Sequence, residues 1–370
     1  MFLARSLEGG GAERQLVNLA LGLARRGQRV AVAVFYDGGP LGADLAAAGI
    51  QLFVVGKRGR WDVLSFLTRL LRLLRAQKPA VLHSYLGGPN IAAVVLKPLL
   101  RGTRIVWGVR ASNVDLQRYD WLARTSYCIE RSLARYADLI ICNSRAGLED
   151  AATRGFPRPR MVVISNGIDT DNCRADAVAR TSVRTEWGVS ESEILIGLAA
   201  RLDPMKDHPT FFRAAVMLSQ ARRDLRFVCV GDGPEPYKAE LRALAAALGL
   251  AEELIWAGGR RDMSAVYSAL DIVTCPSSSG EGFSNAIGEA MACGVPCVVT
   301  DVGDAAHIVG NTGCVTAPGD HRALAAAIGR LADLPSKERV TLGHACRERV
   351  VSEFGMETLA QRTERALDLV

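Results

Sequence analysis

Several short segments carry residue types and spacings suited to chemistry on a hydroxyl-rich, anionic ligand. In Gly280-Glu281-Gly282-Phe283-Ser284-Asn285-Ala286-Ile287-Gly288-Glu289, one carboxylate lies in a glycine-rich loop and the second lies eight residues on, in a helix. The amides of Phe283, Ser284 and Asn285 open that helix, and free N–H groups at a helix N-terminus attract an anion. A carboxylate on each side of such a site can hydrogen-bond sugar hydroxyls; the plainer reading is a solvated Glu pair around a glycine turn. In Ala200-Arg201-Leu202-Asp203-Pro204-Met205-Lys206, two cations share one strand-to-helix loop and can clamp a diphosphate. A solvated basic loop is the alternative. Near the start, Glu8-Gly9-Gly10-Gly11 lets the backbone approach a phosphate or a sugar without a Cβ clash, or forms a glycine turn with no ligand. A dinucleotide fingerprint would need glycine at position 14; Arg14 stands there and counts against a nicotinamide cofactor. Gly231-Asp232-Gly233-Pro234 reads as a tight turn with proline at a helix start.

These loops need strands and helices to hold them. Short β-branched runs alternate with amphipathic stretches almost throughout. Strands are predicted at 2–5, 29–36, 50–55, 80–84, 104–108, 138–143 and 161–165, then at 193–200, 225–231, 253–257, 271–275, 296–300 and 312–315. Repeated β-α-β with buried strands predicts doubly wound parallel sheets, and the total exceeds one sheet. The 370 residues, 49% hydrophobic and 23% charged, fit about two domains and exclude a disordered chain. The predicted organisation is an α/β pair of Rossmann-like domains facing a central cleft. They span 1–170 and 193–355, with a linker at 171–192 and a terminal helix, 356–370, packing back on the first.

A net charge of +6 is too weak to argue for nucleic acid. Nine cysteines without a C-x-x-C pair read as buried, reduced thiols in the cytoplasm. The five histidines show no metal-ligand spacing, and the single D-x-D, Asp169-Thr170-Asp171, reads as chance. No metal and no cofactor are expected. The apolar run at 91–100 is broken by Lys97 and Pro98, and Met1–Leu7 is too short for a signal peptide.

The chain resembles the retaining glycosyltransferases of family 4, which have the GT-B fold. The landmarks are GGAER at 10–14, NSRAGLED at 143–150, SNGID at 165–169, ARLDPMKD at 200–207, GDGP at 231–234 and the Glu281-x7-Glu289 motif leading into EAMACGVPCVVTD. The resemblance implies a UDP-, GDP- or ADP-sugar donor held mainly by the C-terminal domain, and a glycan or lipid-linked acceptor held mainly by the N-terminal one. It implies that Arg201 and Lys206 grip the diphosphate and that Glu281 holds donor-sugar hydroxyls. Glu289 would take the ribose, and the amides around Gly282, Phe283, Ser284 and Asn285 the distal phosphate. Gly10 and Gly11 would approach the donor from the opposite wall, with Arg260 near the base. The implied role is in surface or extracellular polysaccharide synthesis.

Two features depart from the family pattern. Many relatives carry a histidine at the end of the fifth strand; here Gly108-Val109-Arg110-Ala111-Ser112-Asn113 puts Arg110 in its place. Arginine cannot act as a base at neutral pH, but it can bind an anionic acceptor or a donor phosphate. His83 is a candidate substitute, and Asn113 a candidate acceptor contact. The first strand, ending near Ala4, also reads as cut short at its start. Between 57 and 78, seven basic residues stand against Asp62, matching the net charge of the whole chain. A helix at 62–77 would carry Val63, Phe66, Leu67, Leu70, Leu71 and Leu74 on one face and place Arg69, Arg72 and Arg75 on the other, a face suited to an anionic membrane or simply a solvated face of a core-packed helix. The rival functions are a sugar-nucleotide epimerase of the same architecture and a non-catalytic nucleotide-sugar-binding protein.

Overall fold

The computed structural model describes residues 1–59, 61–110, 121–250 and 252–369. Two units emerge: Met1–Gly167 with Met356–Val370, and Ile168–Gly355. In the first, parallel strands β1 (Phe2–Ala4), β2 (Ala31–Val34), β3 (Gln51–Val54), β4 (Val81–Tyr85), β5 (Arg104–Val109), β6 (Leu139–Cys142) and β7 (Met161–Val163) take the order β3-β2-β1-β4-β5-β6-β7. The helices between them are α1 (Gly11–Arg25), α2 (Gly42–Ala47), α3 (Leu64–Gln77), α4 (Gly87–Leu96), α5 (Trp121–Leu133) and α6 (Arg145–Thr153). Alternate residues along β4 show why both faces are covered: Leu82 joins the core with Phe66, Leu70 and Trp107, while Tyr85 joins the one built on Leu16, Leu19 and Leu23 of α1. Local signals set the ends of elements. Ser144 caps α6 by accepting from Gly147 N–H at 2.9 Å, which satisfies a donor the helix leaves open.

The second unit contains α7 (Ala177–Glu186), β8 (Ile194–Ala199), α8 (His208–Ala221), β9 (Leu225–Val230), α9 (Glu235–Ala247), β10 (Leu254–Gly258), α10 (Met263–Ala269), β11 (Ile272–Cys275), α11 (Asn285–Ala292), β12 (Cys297–Thr300), α12 (Ala305–Val309), β13 (Cys314–Thr316), α13 (His321–Asp333) and α14 (Ser336–Phe354). Its parallel sheet runs β10-β9-β8-β11-β12-β13. Every residue of β8 is buried, as an inner parallel strand requires.

The 171–192 segment, read above as a linker, is instead part of this second unit. Asp176 caps α7 by accepting from the Val178 and Ala179 amides at 2.9 and 3.0 Å. Arg184 of α7 is 1% exposed. It donates to Asp271 Oδ2 at 3.0 Å and to the carbonyls of Ala269, Ser190 and Glu193 at 3.0, 2.5 and 2.6 Å. Polar composition disguised a helix that is anchored by a buried guanidinium as well as by Val183, which joins the apolar core.

The last helix, α15 (Met356–Asp368), belongs to the first unit and packs on α1. Leu359 and Ala360 enter the α1 core, and Ala360 lies against Gly22, where a Cβ would sit only 3.0 Å from the alanine methyl. Arg26 and Gln28 close the contact on Glu364 at 2.6 and 2.7 Å.

Candidate functional site

In the second unit, β9 and β10 lie on one side of β8 and β11 on the other. Order reverses there, and in open α/β sheets ligands bind at the carboxyl ends of strands beside such a reversal. The loop after β8 carries Arg201 and Lys206, and the loop after β11 carries Glu281. Backbone contacts tie the two loops together: Ser278 N–H donates to the Met205 carbonyl at 2.8 Å. On the other flank, Leu202 N–H donates to the Asp232 carbonyl at 3.0 Å. Gly231, at φ +149°, is required because a Cβ would collide with the Ala200 carbonyl oxygen. GDGP is thus a buttress for the cationic loop.

Lys206 Nζ donates to Glu281 Oε1, which also accepts from Ser277 Oγ at 2.8 Å. Glu281 is 8% exposed. Burial works to lower the Lys206 pKa, but the facing Glu281 carboxylate outweighs it and the net shift is upward. The ammonium is therefore a fixed charge. Thr300 Oγ1 donates to the Ser277 carbonyl at 2.6 Å, extending the network into β12. The sequence had not singled out Ser277: it stands in a run of three serines, and only the fold distinguishes it. Arg201 is exposed and held by Asp203 Oδ2 at 3.0 Å, so it can swing to a ligand at little cost.

Gly282 is pinned by Asp304 N–H, which donates to its carbonyl at 3.0 Å. The Phe283 ring packs on Phe354 at 5.3 Å between centroids, so what this residue can offer a ligand is its backbone. Ser284, the N-cap of α11, makes no side-chain cap bond, and its hydroxyl lies 3.8 Å from Cys275 Sγ. Glu289, one turn further, accepts from the Tyr267 hydroxyl at 3.2 Å. Tyr267 is buried and, beside that carboxylate, its pKa is pushed well above the ordinary phenol value, so it remains a donor. Arg260 donates to Asp262 at 2.9 and 2.7 Å and to Glu186 at 2.5 Å. Those carboxylates engage its guanidinium.

In the first unit, Gly10 is the N-cap of α1 and Gly11 its first residue, with no side-chain cap bond. His83 is 2% exposed, with its ring 5.4 Å from Phe2 and 4.8 Å from Tyr85. It is a packed side chain on the inner face of β4, not the edge group expected as a substitute base. Arg110 stands at the carboxyl end of β5, over the Tyr85 ring. Asn113 lies outside the described residues. No group of His, Cys, Asp and Glu among the described residues is arranged to hold a metal ion.

Comparison with known proteins follows the same division. The description "Glycosyltransferase Family 4" matches residues 9–172, and "Glycosyl transferases group 1" matches residues 193–333. A 2-deoxystreptamine glucosyltransferase of Streptomyces kanamyceticus is 28% identical over 297 residues, covering 78% of this chain and 75% of that protein. A GDP-mannose-dependent alpha-(1-6)-phosphatidylinositol monomannoside mannosyltransferase of Mycolicibacterium smegmatis is 28% identical over 293 residues, covering 76% and 75%. The crystal structure of Anabaena HepE in complex with UDP superimposes with a TM-score of 0.87 at 23% identity, covering 100% of this chain and 99% of that one. Two family matches in order, on two doubly wound units of this topology, place the chain among the family 4 glycosyltransferases with the GT-B fold.

Proposed function

We propose that this glycosyltransferase is retaining and metal-independent, and moves a sugar from a UDP-, GDP- or ADP-sugar to a glycan or lipid-linked acceptor during surface or extracellular polysaccharide synthesis. The observation that carries the reading is the set at the β8–β11 reversal: Lys206 fixed on Glu281, Arg201 on the same loop, and the N-terminus of α11, whose N-cap Ser284 makes no side-chain cap bond. Departure of a nucleoside diphosphate builds negative charge on phosphate oxygens. Preorganised cations and N–H donors stabilise that charge more than the ground state, which is what lowers the barrier. Glu281 accepts hydrogen bonds from the donor sugar, and Glu289 from the ribose. The acceptor attacks from the face the diphosphate leaves, and the leaving phosphate takes the acceptor proton; no protein nucleophile is invoked.

A thermal-shift panel of UDP, GDP and ADP tests this. At about 100 times its Kd, the cognate diphosphate stabilises the protein by about 2.7 kcal/mol. Glu289→Ala weakens that ligand about tenfold or more, because hydrogen bonds to a charged acceptor are lost. No shift with any of the three overturns the reading. Activity with an epimerase product and no transfer would favour the rival enzyme.

We also propose peripheral docking on an anionic membrane through the start of α3. Trp61 is 83% and Leu64 82% exposed, with Arg58, Arg72, Arg75 and Lys78 exposed nearby. Exposed apolar anchors beside basic residues suit a lipid interface. Arg69 drops out of this face: it donates to Asp62 at 2.6 Å and to the Val55 and Gly56 carbonyls at 3.1 and 2.8 Å. Arg60 lies outside the described residues. Among the described residues no helix is long and apolar enough to cross a membrane. The protein should sediment with phosphatidylserine vesicles at low salt, and Trp61→Ser with Leu64→Ser should release it. Equal sedimentation with and without vesicles counts against docking.

A further inference from the structure

The first unit carries a cation that the donor-handling residues leave unused. Its sheet reverses order between β1 and β4, so the carboxyl ends of those strands and of the adjacent β5 form a second place where a ligand can lodge. Arg110 leaves the end of β5 and reaches back over β4. Its Cζ lies 4.2 Å from the centre of the Tyr85 ring. Nη2 donates to the Tyr85 hydroxyl, and Nη1 donates to Asn166 Oδ1 at 3.2 Å. Gly108 makes the room: a Cβ there would come 3.2 Å from the Ser84 carbonyl oxygen and 3.4 Å from Arg110 Nε.

A guanidinium offers five N–H donors and is always charged. Here its partners are two neutral oxygens, and among the described residues no carboxylate pairs with it. Nε is buried with no partner. Among the described residues, the neighbouring titratable side chains supply no counter-charge. His83 keeps both nitrogens unpartnered, and burial, then the nearby Arg110, hold its pKa well below the usual imidazole value, so it is neutral. Burial raises the Tyr85 phenol, so it is neutral too. Two other arginines of this chain are treated differently: Arg184 pairs with Asp271 at 3.0 Å, and Arg260 with Asp262 at 2.7 Å. A guanidinium fixed by stacking and hydrogen bonds, yet left without an anion, is prepared to receive one. Its planar fork matches a carboxylate or a phosphate.

We infer that Arg110 recognises a carboxylate or phosphate on one of the two substrates, so that the enzyme selects a charged sugar over its neutral counterpart. The inference rests on the nucleotide-sugar transferase reading and names the substrate class for it.

Calorimetry on the full chain tests it in two arms. The donor arm compares UDP-glucuronate with UDP-glucose, and GDP-mannuronate with GDP-mannose. The acceptor arm adds glucuronate, glucose 6-phosphate or glucose to protein saturated with UDP or GDP. In one arm the charged probe should bind about tenfold or more tightly than the neutral one. Arg110→Gln should bring that ratio near one, and Arg110→Lys should keep part of it. The arm showing the preference identifies which substrate carries the charge. Nucleotide binding without any charged-over-neutral preference in the wild-type protein overturns the inference alone, and needs no variant to do so. A preference that survives Arg110→Gln overturns it as well. Failure of every nucleotide and nucleotide sugar to bind overturns the transferase reading and this inference together.

Discussion

Lys206→Ala should lower kcat/KM by about 100-fold to 1,000-fold, the loss typical when one preorganised donor to developing negative charge is removed. The effect should fall on kcat more than on KM, because the charge on the leaving diphosphate grows in the transition state. The same substitution should also cost stability. Glu281 is nearly buried and would lose its cation while still accepting from Ser277. Removing one member of a buried pair costs about 3–5 kcal/mol, and the partial exposure of Lys206 argues for the low end. The two losses separate in a double variant. Lys206→Ala with Glu281→Gln should recover most of the stability and none of the activity. Recovery of activity would mean that Lys206 serves only to neutralise Glu281.

The pH dependence follows from the direction of the Lys206 shift. Its pKa is raised in the folded state. The stability it contributes is therefore fully present below the unfolded lysine value of about 10.4, and is lost only as pH climbs through the higher folded value. Across the neutral range this charge does not titrate. Any acid or base limb in a pH–rate profile near pH 7 belongs to another group.

Arg184→Ala should be the most damaging single change to the second unit outside the site, at about 3 kcal/mol. The guanidinium fills a buried position and serves three carbonyls besides Asp271. Truncation strands those acceptors, and unsatisfied buried groups cost about 1–3 kcal/mol each before any relaxation. The estimate stays low because Asp271 keeps Arg180, at 3.0 Å, and the Leu195 amide, at 2.8 Å. For a unit of this size about 2–4 °C of Tm is lost per kcal/mol, so a drop of roughly 6–12 °C is expected. Arg180→Ala, on the more exposed partner, should cost clearly less. Equal effects at the two positions would show that burial of Arg184 is not what anchors α7.

Arg184 also shows where the sequence stopped speaking. Sheet strands announce themselves through runs such as ILIGLA in β8, and loops at their carboxyl ends follow from the winding. Arg201, Lys206 and Glu281 were therefore legible as residues of strand-end loops, but that the two loops adjoin came only with the strand order. α7 is mostly threonines, arginines and other small or polar residues, it buries only Val183 and Arg184, and much of its hold is ionic. Hydropathy patterns cannot register that kind of contact. The same blindness affected α3. Periodicity placed Arg69 with Arg72 and Arg75, but three residues per step drift around a helix, and Asp62 with two backbone carbonyls drew Arg69 inward. His83 looked like a strand-end group because strand ends carry function. Its register on β4 turns it toward Phe2 instead.

The return of α15 to α1 has a consequence in time. Residues at the beginning of the chain leave the ribosome first, and domains tend to fold in that order. Here Leu16 and Leu19 of α1 share their core with Leu359 and Ala360, which are made only after the second unit. The unit that starts first is therefore completed after the whole of the second unit has been synthesised. Until then the face of α1 that α15 covers waits in water, open to wrong partners.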